Sequence, residues 1–564
     1  MRRASVVLAP VLAAAFPVLF LYAHNVDEVA ASSVIPLLLV AVAAAILLTV
    51  VLWLVFRNHT QASLIATVWV LLFLMYGHIH GGFAEFRLLG TELASHRLVL
   101  PATLAVAVVL SFAVLKKRAL STSFAPYATA ILAALVLFNL VSAVIPEAQR
   151  VSKASAEPNQ LQVDIPSQAG SVQLPDIYYI VPDRYPNNST LKEYYGYDNS
   201  EFTEYLEDSG FYVADQSYSN YHHTYLSLAS SLNMTYLDTL AEEIGTPTGD
   251  KSPATAMVRD YAVWRTLKEQ YGYKYIHFGS WWGGTENNQY ADVEISKHPR
   301  LFGLVELDNS FSRQMFTTSA LWPFENQLLV RESFSHGDAE IERCQDIESE
   351  DNRHPNNEAQ EQCHRALYTF EQLKEMPSVE GPKFVFVHLM VPHPPYVFGP
   401  DGEIRDPPPF WFYDKLTDDQ KKILKERFID QLMFTNKMLQ ESIDHILAKS
   451  PRPPIIVVQA DEGPWTPEFP KQERAVRSPG ASPDAMTAET LRVRHRILNA
   501  YHLPGDGEDA LYPSISPVNA FRVIFNEYFG AELPLLEDRA YRSRSFDEDV
   551  YHFVDVTDRV KFDE

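Results

Sequence analysis

Apolar residues gather in five long runs at the start of the chain and in short runs afterwards, and the two patterns predict two kinds of structure. The early runs cover residues 6–23, 34–56, 62–76, 98–115 and 125–145. A helix that crosses a bilayer needs about 20 mostly apolar residues. The third run reaches that length only by taking in residues 77–83, with His78 and His80. The first resembles a signal peptide in length, but four further runs follow it, so it reads as a retained span. Residues 1–146 are therefore expected to form a five-helix membrane anchor. Residues 147–173 are rich in Ser, Gln, Pro, Ala and acidic residues, which is a linker composition.

From residue 174 the pattern changes. Runs at 177–181, 275–278, 384–389 and 455–459 have strand length and are rich in β-branched and aromatic residues, with helix-like segments between them. That order predicts an α/β domain over residues 174–564 with a mostly parallel sheet covered on both faces. Polar residues fall just past the ends of these runs: Asp183, then Gly279-Ser280-Trp281-Trp282, then His393, then Asp461-Glu462-Gly463. Open α/β sheets bind ligands at the carboxyl ends of their strands, so these groups are expected to share one cleft.

Charge separates the two parts further. Residues 1–150 hold nine Lys/Arg against five Asp/Glu, and the remainder holds 38 against 66, giving +4 and −28. Basic residues favour the cytoplasmic side of a membrane. Arg2 and Arg3 place the N-terminus inside, Asp27 and Glu28 fall outside, and Arg57 and Lys116-Lys117-Arg118 fall inside again. Five crossings then leave the acidic domain outside the cytoplasm. A domain this acidic argues against a nucleic-acid partner, because phosphate neutralisation needs a basic face. The two cysteines, Cys344 and Cys363, fit one disulfide outside the cytoplasm or two buried thiols equally well.

Four segments carry candidate chemistry. Asp183 ends a strand pattern, where a carboxylate can ligate a divalent cation or simply occupy a turn. Thr224 opens a stretch in which Tyr225, Leu228, Ala229 and Leu232 follow helical spacing. A hydroxyl at a helix N-terminus is an ordinary cap or a nucleophile facing an anion. His393 is followed by two prolines and so lies in a stiff loop, where it can donate to an oxyanion. Asp461 and Glu462 are adjacent carboxylates that repel unless a cation lies between them. Trp281 and Trp282 suit a sugar, a lipid headgroup or packing on the sheet. His222 and His223 read as solvated loop residues and His388 as a structural strand residue. Arg184 is a candidate contact for an anionic substrate.

In this order, the four segments resemble the alkaline phosphatase/sulfatase superfamily, and most closely its membrane-bound branch of lipoteichoic acid synthases and phosphoethanolamine transferases. The resemblance spans about residues 174–530 and implies an α/β/α sandwich. It implies that Asp183 and Asp461 hold one divalent metal ion, that Thr224 touches that ion and is the nucleophile, and that His393 meets the substrate phosphoryl group. Glu462 is expected to join the ligands through oxygen, and Trp282 and Arg184, read from the residues alone, are candidate substrate contacts. Two departures matter. Asp461-Glu462-Gly463 stands where the family has Asp-His-Gly, which favours Mn²⁺, Mg²⁺ or Ca²⁺ over Zn²⁺ or signals lost activity. Thr stands at 224 without the Cys-x-Pro-x-Arg pattern that formylglycine sulfatases need. The expectation is a membrane-anchored transferase or hydrolase acting on phosphate esters of envelope lipids or glycans. Its rivals are a sulfate ester hydrolase on surface polysaccharide and a non-catalytic envelope scaffold.

Overall fold

The structure is a computed structural model that describes residues 8–26, 31–83, 87–88, 91–92, 95–154, 174–245, 247–296, 300–301, 305–306, 310–330, 343–344, 346–347, 357–408, 416–466, 471–472, 486–545 and 548–562. The chain divides into two compact units, Met1–Ala156 with His298–Glu332, and Glu157–Lys297 with Ser333–Glu564. Arg2, Arg3, Asp27 and Glu28 lie outside the described residues.

The first unit contains one helix for each predicted apolar run: α1 (Ala9–His24), α2 (Ala31–Phe56), α3 (His59–Leu74), α4 (His96–Lys116) and α5 (Arg118–Ala154). Three of them hold segments long and apolar enough to span a bilayer, at Val34–Phe56, His96–Lys116 and Thr122–Val144, while α1 and α3 are shorter. Among the described residues, three of the five expected spans thus have the length and composition to cross a bilayer. The α3 helix stops at Leu74, and a separate short helix starts at Tyr76, so the histidine-bearing residues do not extend it. At 1.5 Å per residue its 16 residues fall short of a hydrocarbon core about 30 Å thick. Leu39, Val40, Leu47, Val55, Val109, Phe112 and Phe138 are each at least 60% exposed. An aqueous protein hides such residues; hydrocarbon accepts them. The α1 helix is the inner one, with Ala9, Ala13 and Ala14 buried against Ala45, Val70 and Leu132, because small side chains let helices approach closely. The helix Ser310–Thr318 belongs to this unit. Its Phe311 and Met315 join a cluster with Val18, Leu21 and Val34. The α5 helix continues through Ala154 into the segment read as linker, and residues 155–173 lie outside the described residues.

The second unit is built on a seven-stranded sheet. Its strands are β1 (Ile177–Pro182), β2 (Tyr212–Val213), β3 (Lys274–Phe278), β4 (Val293–Ile295), β5 (Lys383–Leu389), β6 (Ile455–Gln459) and β7 (Asn499–His502), in the order β2-β7-β6-β1-β5-β3-β4. The run β6-β1-β5-β3-β4 is parallel, and β7 pairs antiparallel with both β6 and β2. Alternation along the strands feeds two cores. Tyr179, Val181, Phe384, Phe386 and Val457 face one way, with α6 (Thr224–Asn233) and, later in the chain, Phe521 and Ile524 of a helix at Pro517–Phe529. Tyr178, Ile180, Val385, Val387 and Val458 face the other way, against α7 (Asn357–Glu375) and α8 (Asp418–Lys449). Helices thus cover both faces of a mostly parallel sheet. Cys344 and Cys363 are bonded as a disulfide, and Cys363 lies in the second core. Of the two states left open for the thiols, the structure takes the bridge.

Candidate metal centre and active site

Three neighbouring parallel strands, β6, β1 and β5, bring their carboxyl ends together, and each delivers one polar residue there. Asp183 follows β1, its backbone N–H donating to Leu389 O of β5 at 2.8 Å. His388 lies inside β5, in register with Val181 of β1. Asp461 lies just past β6, after Ala460 donates to Leu498 O at 3.0 Å. All three side chains are buried, and one ligand atom from each lies within 4.8 Å of the others. His388 Nε2 stands 3.6 Å from Asp183 Oδ2. Among the described residues, Asp183 Oδ1, His388 Nε2 and Asp461 Oδ2 have no hydrogen-bond partner, and Arg184 Nε lies 3.9 Å from Asp183 Oδ1. A buried polar atom left so costs about 1–3 kcal/mol, more when charged, and a shared cation removes that cost for all three. The imidazole is aimed from behind. His388 Nδ1 lies 2.8 Å from Thr285 Oγ1, itself 2.8 Å from Ser280 Oγ. Fixing Nδ1 leaves Nε2 for the carboxylates, as the outer partners of metal-binding histidines do. The residues present fit a divalent ion.

The two carboxylates titrate as a pair. Burial, then Asp183 and Glu462, push Asp461 well above the usual carboxylate range. Burial also acts to raise Asp183, but His393, His388 and Arg184 together hold it below that range. Without a cation, ionising Asp461 costs the fold stability. The cost develops as pH rises through the unfolded carboxylate value of about 3.9 and towards the raised folded value. A cation must displace that proton. The gain in melting temperature on adding Mn²⁺ to the full-length protein is therefore expected to be larger at about pH 8 than at about pH 5. A gain that does not vary between those conditions would place the ion elsewhere.

Thr224 is the first residue of α6, and the cap position before it belongs to His223, whose side chain makes no capping bond. Thr224 is therefore not the ordinary cap that the sequence left open. It is half-buried in a buried stretch, and its side chain lies close enough to the Asp461 carboxylate to act against the rise of that carboxyl's pKa. One helical turn on, Ser227 Oγ donates to Asp461 O at 2.7 Å, locking the helix start to the strand end. His222 and His223, expected in solvent, are buried with ring centroids 4.0 Å apart. Burial and the charges around them hold both well below the usual histidine range.

Glu462, expected as a ligand, is placed otherwise. It is not one of the three residues whose ligand atoms converge. Its Oε1 accepts from Arg184 Nε at 3.2 Å, and its Oε2 pairs with Arg494. Arg494 comes from the helix Ala488–His495, is fully buried, and also donates to the carbonyls of Gly463 and His222. Burial raises the Glu462 pKa while the two arginines oppose it. Gly463 is required by this packing, since a Cβ there would lie 1.9 Å from Val493 O. Arg184 has a left-handed backbone, φ 64°, uncommon outside glycine. Its N–H donates to Asp461 Oδ1 at 3.3 Å, and its guanidinium lies over Trp465, 4.4 Å from the ring centroid.

His393 sits in the loop after β5, close enough to Asp183 to lower that carboxyl's pKa. Its Nδ1 is hydrogen-bonded to Pro394 O. Burial, then the neighbouring Arg184, bring its pKa down to about 3. Trp281 stands edge-on to His393 at 5.2 Å, and Trp282 edge-on to His388 at 5.8 Å, both half-buried. The structure thus gathers Asp183, Arg184, Thr224, His393 and Asp461, with Trp282 alongside, and sets Glu462 between arginines. Sequence reasoning missed His388, Arg494, Thr285 and Trp465.

Together these features define the class of site: a buried pair of aspartates with a histidine, beside a hydroxyl at a helix start, at the strand ends of a parallel sheet. No family model and no curated protein matches the sequence. Solved structures do show likeness. The C-terminal periplasmic domain of EcEptC from Escherichia coli, in complex with Zn, is 11% identical over 71% of this chain and 96% of its own, with a TM-score of 0.39. The integral membrane lipooligosaccharide phosphoethanolamine transferase A (EptA) from Neisseria meningitidis is 9% identical over 93% and 95%, at 0.36. The C-terminal periplasmic domain of phosphoethanolamine transferase EptC from Campylobacter jejuni is 12% identical over 66% and 94%, at 0.34.

Proposed function

We propose that this chain is a membrane-anchored transferase or hydrolase that moves a phosphoryl group between envelope lipids or glycans through Thr224. The observation that carries the reading is the convergence of three buried side chains, Asp183, His388 and Asp461, each with a side-chain atom that lacks a hydrogen-bond partner among the described residues, beside Thr224 at the start of α6. Asp183, His388 and Asp461 would hold one divalent ion, which when bound supplies Lewis-acid polarisation of the phosphoryl oxygen and the attacking hydroxyl. The preference for Mn²⁺, Mg²⁺ or Ca²⁺ rested on Glu462 as an oxygen donor. With an imidazole in its place the donor set suits borderline ions such as Zn²⁺ and Mn²⁺ alike.

Asp461 orients the Thr224 hydroxyl, and the start of α6 favours the anion it attacks. A bond forms between Thr224 Oγ and phosphorus as the bond to the leaving alcohol breaks. The proton given up by Thr224 ends on that alcohol. Arg184 grips the anion with its terminal amino groups while Glu462 holds its Nε, and His393 faces the transferring group. A second hydroxyl, from a lipid, a glycan or water, then takes the group and returns a proton to Thr224. The exposed apolar helices support a bilayer anchor, and the disulfide supports an oxidising compartment outside the cytoplasm for the second unit.

The test is direct. Full-length protein in detergent with Mn²⁺ turns over bis(p-nitrophenyl) phosphate, is acid-quenched and digested, and the peptide holding Thr224 is weighed. A phosphoryl adduct on Thr224 is expected. Nitrophenol release with no adduct on this residue under any quench would remove the nucleophile. Release from p-nitrophenyl sulfate, with none from the phosphate diester, would shift the reading to sulfate esters.

A further inference from the structure

The loop that carries His393 leaves the sheet at the end of β5, where strand hydrogen bonding stops. Two fully buried glutamines take over from the helices behind it. Gln362 of α7 and Gln431 of α8 both give their Nε2 to a single acceptor, the backbone carbonyl of His393, at 2.9 and 2.8 Å. A carbonyl has two lone pairs, and here both are used. Gln431 also closes the loop on itself: its Nε2 lies 3.3 Å from Pro392 O, and its Oε1 accepts from Val397 N at 2.9 Å. Gln362 reaches outward as well. Its Nε2 donates to Met390 O, and its Oε1 accepts from Trp281 Nε1 at 2.5 Å, with the Trp281 ring standing edge-on to the imidazole. An apolar residue at either position would fill the same space between helix and sheet. Two amides converging on one carbonyl instead specify where that carbonyl, and the ring attached to the same residue, must stand.

We infer that Gln362 and Gln431 are positioning residues for the transfer reaction: they fix the His393 imidazole over the phosphoryl site, and Gln362 ties that placement to Trp281. The inference rests on the role given to His393 above. Misplacing a reacting group by about 1 Å can cost on the order of 10²-fold in rate. Gln431→Met is therefore expected to lower kcat on bis(p-nitrophenyl) phosphate by about that factor while KM moves little, because the Asp183, His388 and Asp461 atoms are untouched and Mn²⁺ content stays as in the parent.

The decisive measurement is the double variant. In a His393→Ala background, adding Gln431→Met should cost nothing further, since the ring it positions is gone. Losses that multiply in the double variant would show a general structural role and overturn the inference, whereas a fully active His393→Ala would instead bring down the reading of His393 itself. Gln362→Leu should repeat the pattern, which guards against one variant that folds poorly. Independently of turnover, a structure of Gln431→Met or Gln362→Leu should show the His393 ring displaced; a ring that stays in place in both would overturn the inference.

Discussion

Replacing Thr224 by alanine is expected to abolish turnover of a phosphate diester, by about 10⁴-fold or more as for other removed nucleophiles, and to leave the bound metal in place. The two outcomes come from different atoms. The atoms that would hold the metal belong to Asp183, His388 and Asp461, which lie within 4.8 Å of one another without Thr224. Thr224 contributes the group within reach of the Asp461 carboxylate at the start of α6. Alanine keeps the helix, because Leu228, Ala229 and Leu232 still anchor it in the core. Thr224→Ser should restore part of the rate, since it returns a hydroxyl at the same atom. Metal analysis and kinetics on the same preparations read both effects. Full activity in the alanine variant would end the proposed chemistry, and loss of metal together with activity would make Thr224 a ligand first.

Glu462→Gln is expected to lower stability by about 3–5 kcal/mol, the usual consequence of removing one member of a buried ion network, while metal stoichiometry holds. Glu462 is the acid between Arg184 and Arg494, and all three side chains are nearly sealed from solvent. The amide keeps the shape but removes the charge, leaving two buried guanidinium groups facing each other. The amide has one acceptor oxygen for the two arginines, so one of them loses its partner, and when that is Arg184 its hold on an anionic substrate should weaken as well. Thermal unfolding with and without Mn²⁺ separates this from the ligand role read from the sequence. A variant with parent stability and no metal would restore Glu462 to the coordination sphere.

Much of the site was legible because its chemistry sits at the ends of strands. Asp183 and Asp461 each follow a run of apolar β-formers, and in a parallel sheet such positions converge whatever the intervening sequence does. His388 was not legible for the opposite reason. It lies within Phe384–Leu389, a run buried on both faces, where a histidine is taken for core. The signal was its polarity: a buried imidazole needs partners, and none is near it in sequence. Glu462 misled through adjacency. Two neighbouring carboxylates require positive charge, but periodicity cannot tell a metal ion from Arg494, which arrives from a helix in another part of the chain. His222 and His223 looked like loop residues, and they are, in a loop that runs through the interior. The anchor was legible as five helices, but their lengths were not. Where α3 stops is decided by the turn at Met75, which hydropathy does not register.

The division of the chain places His298–Glu332 with the anchor, although the sequence on either side of it builds the other unit. The polypeptide therefore passes between the two units three times, at 156, at 297 and at 332. A cut within residues 155–173 would leave the excursion between 297 and 332, whose Phe311 and Met315 pack with Val18, Leu21 and Val34 of the first unit. A water-soluble version made by starting at residue 174 would carry Phe311 and Met315 stripped of Val18, Leu21 and Val34, so it calls for excising that excursion and rejoining the ends.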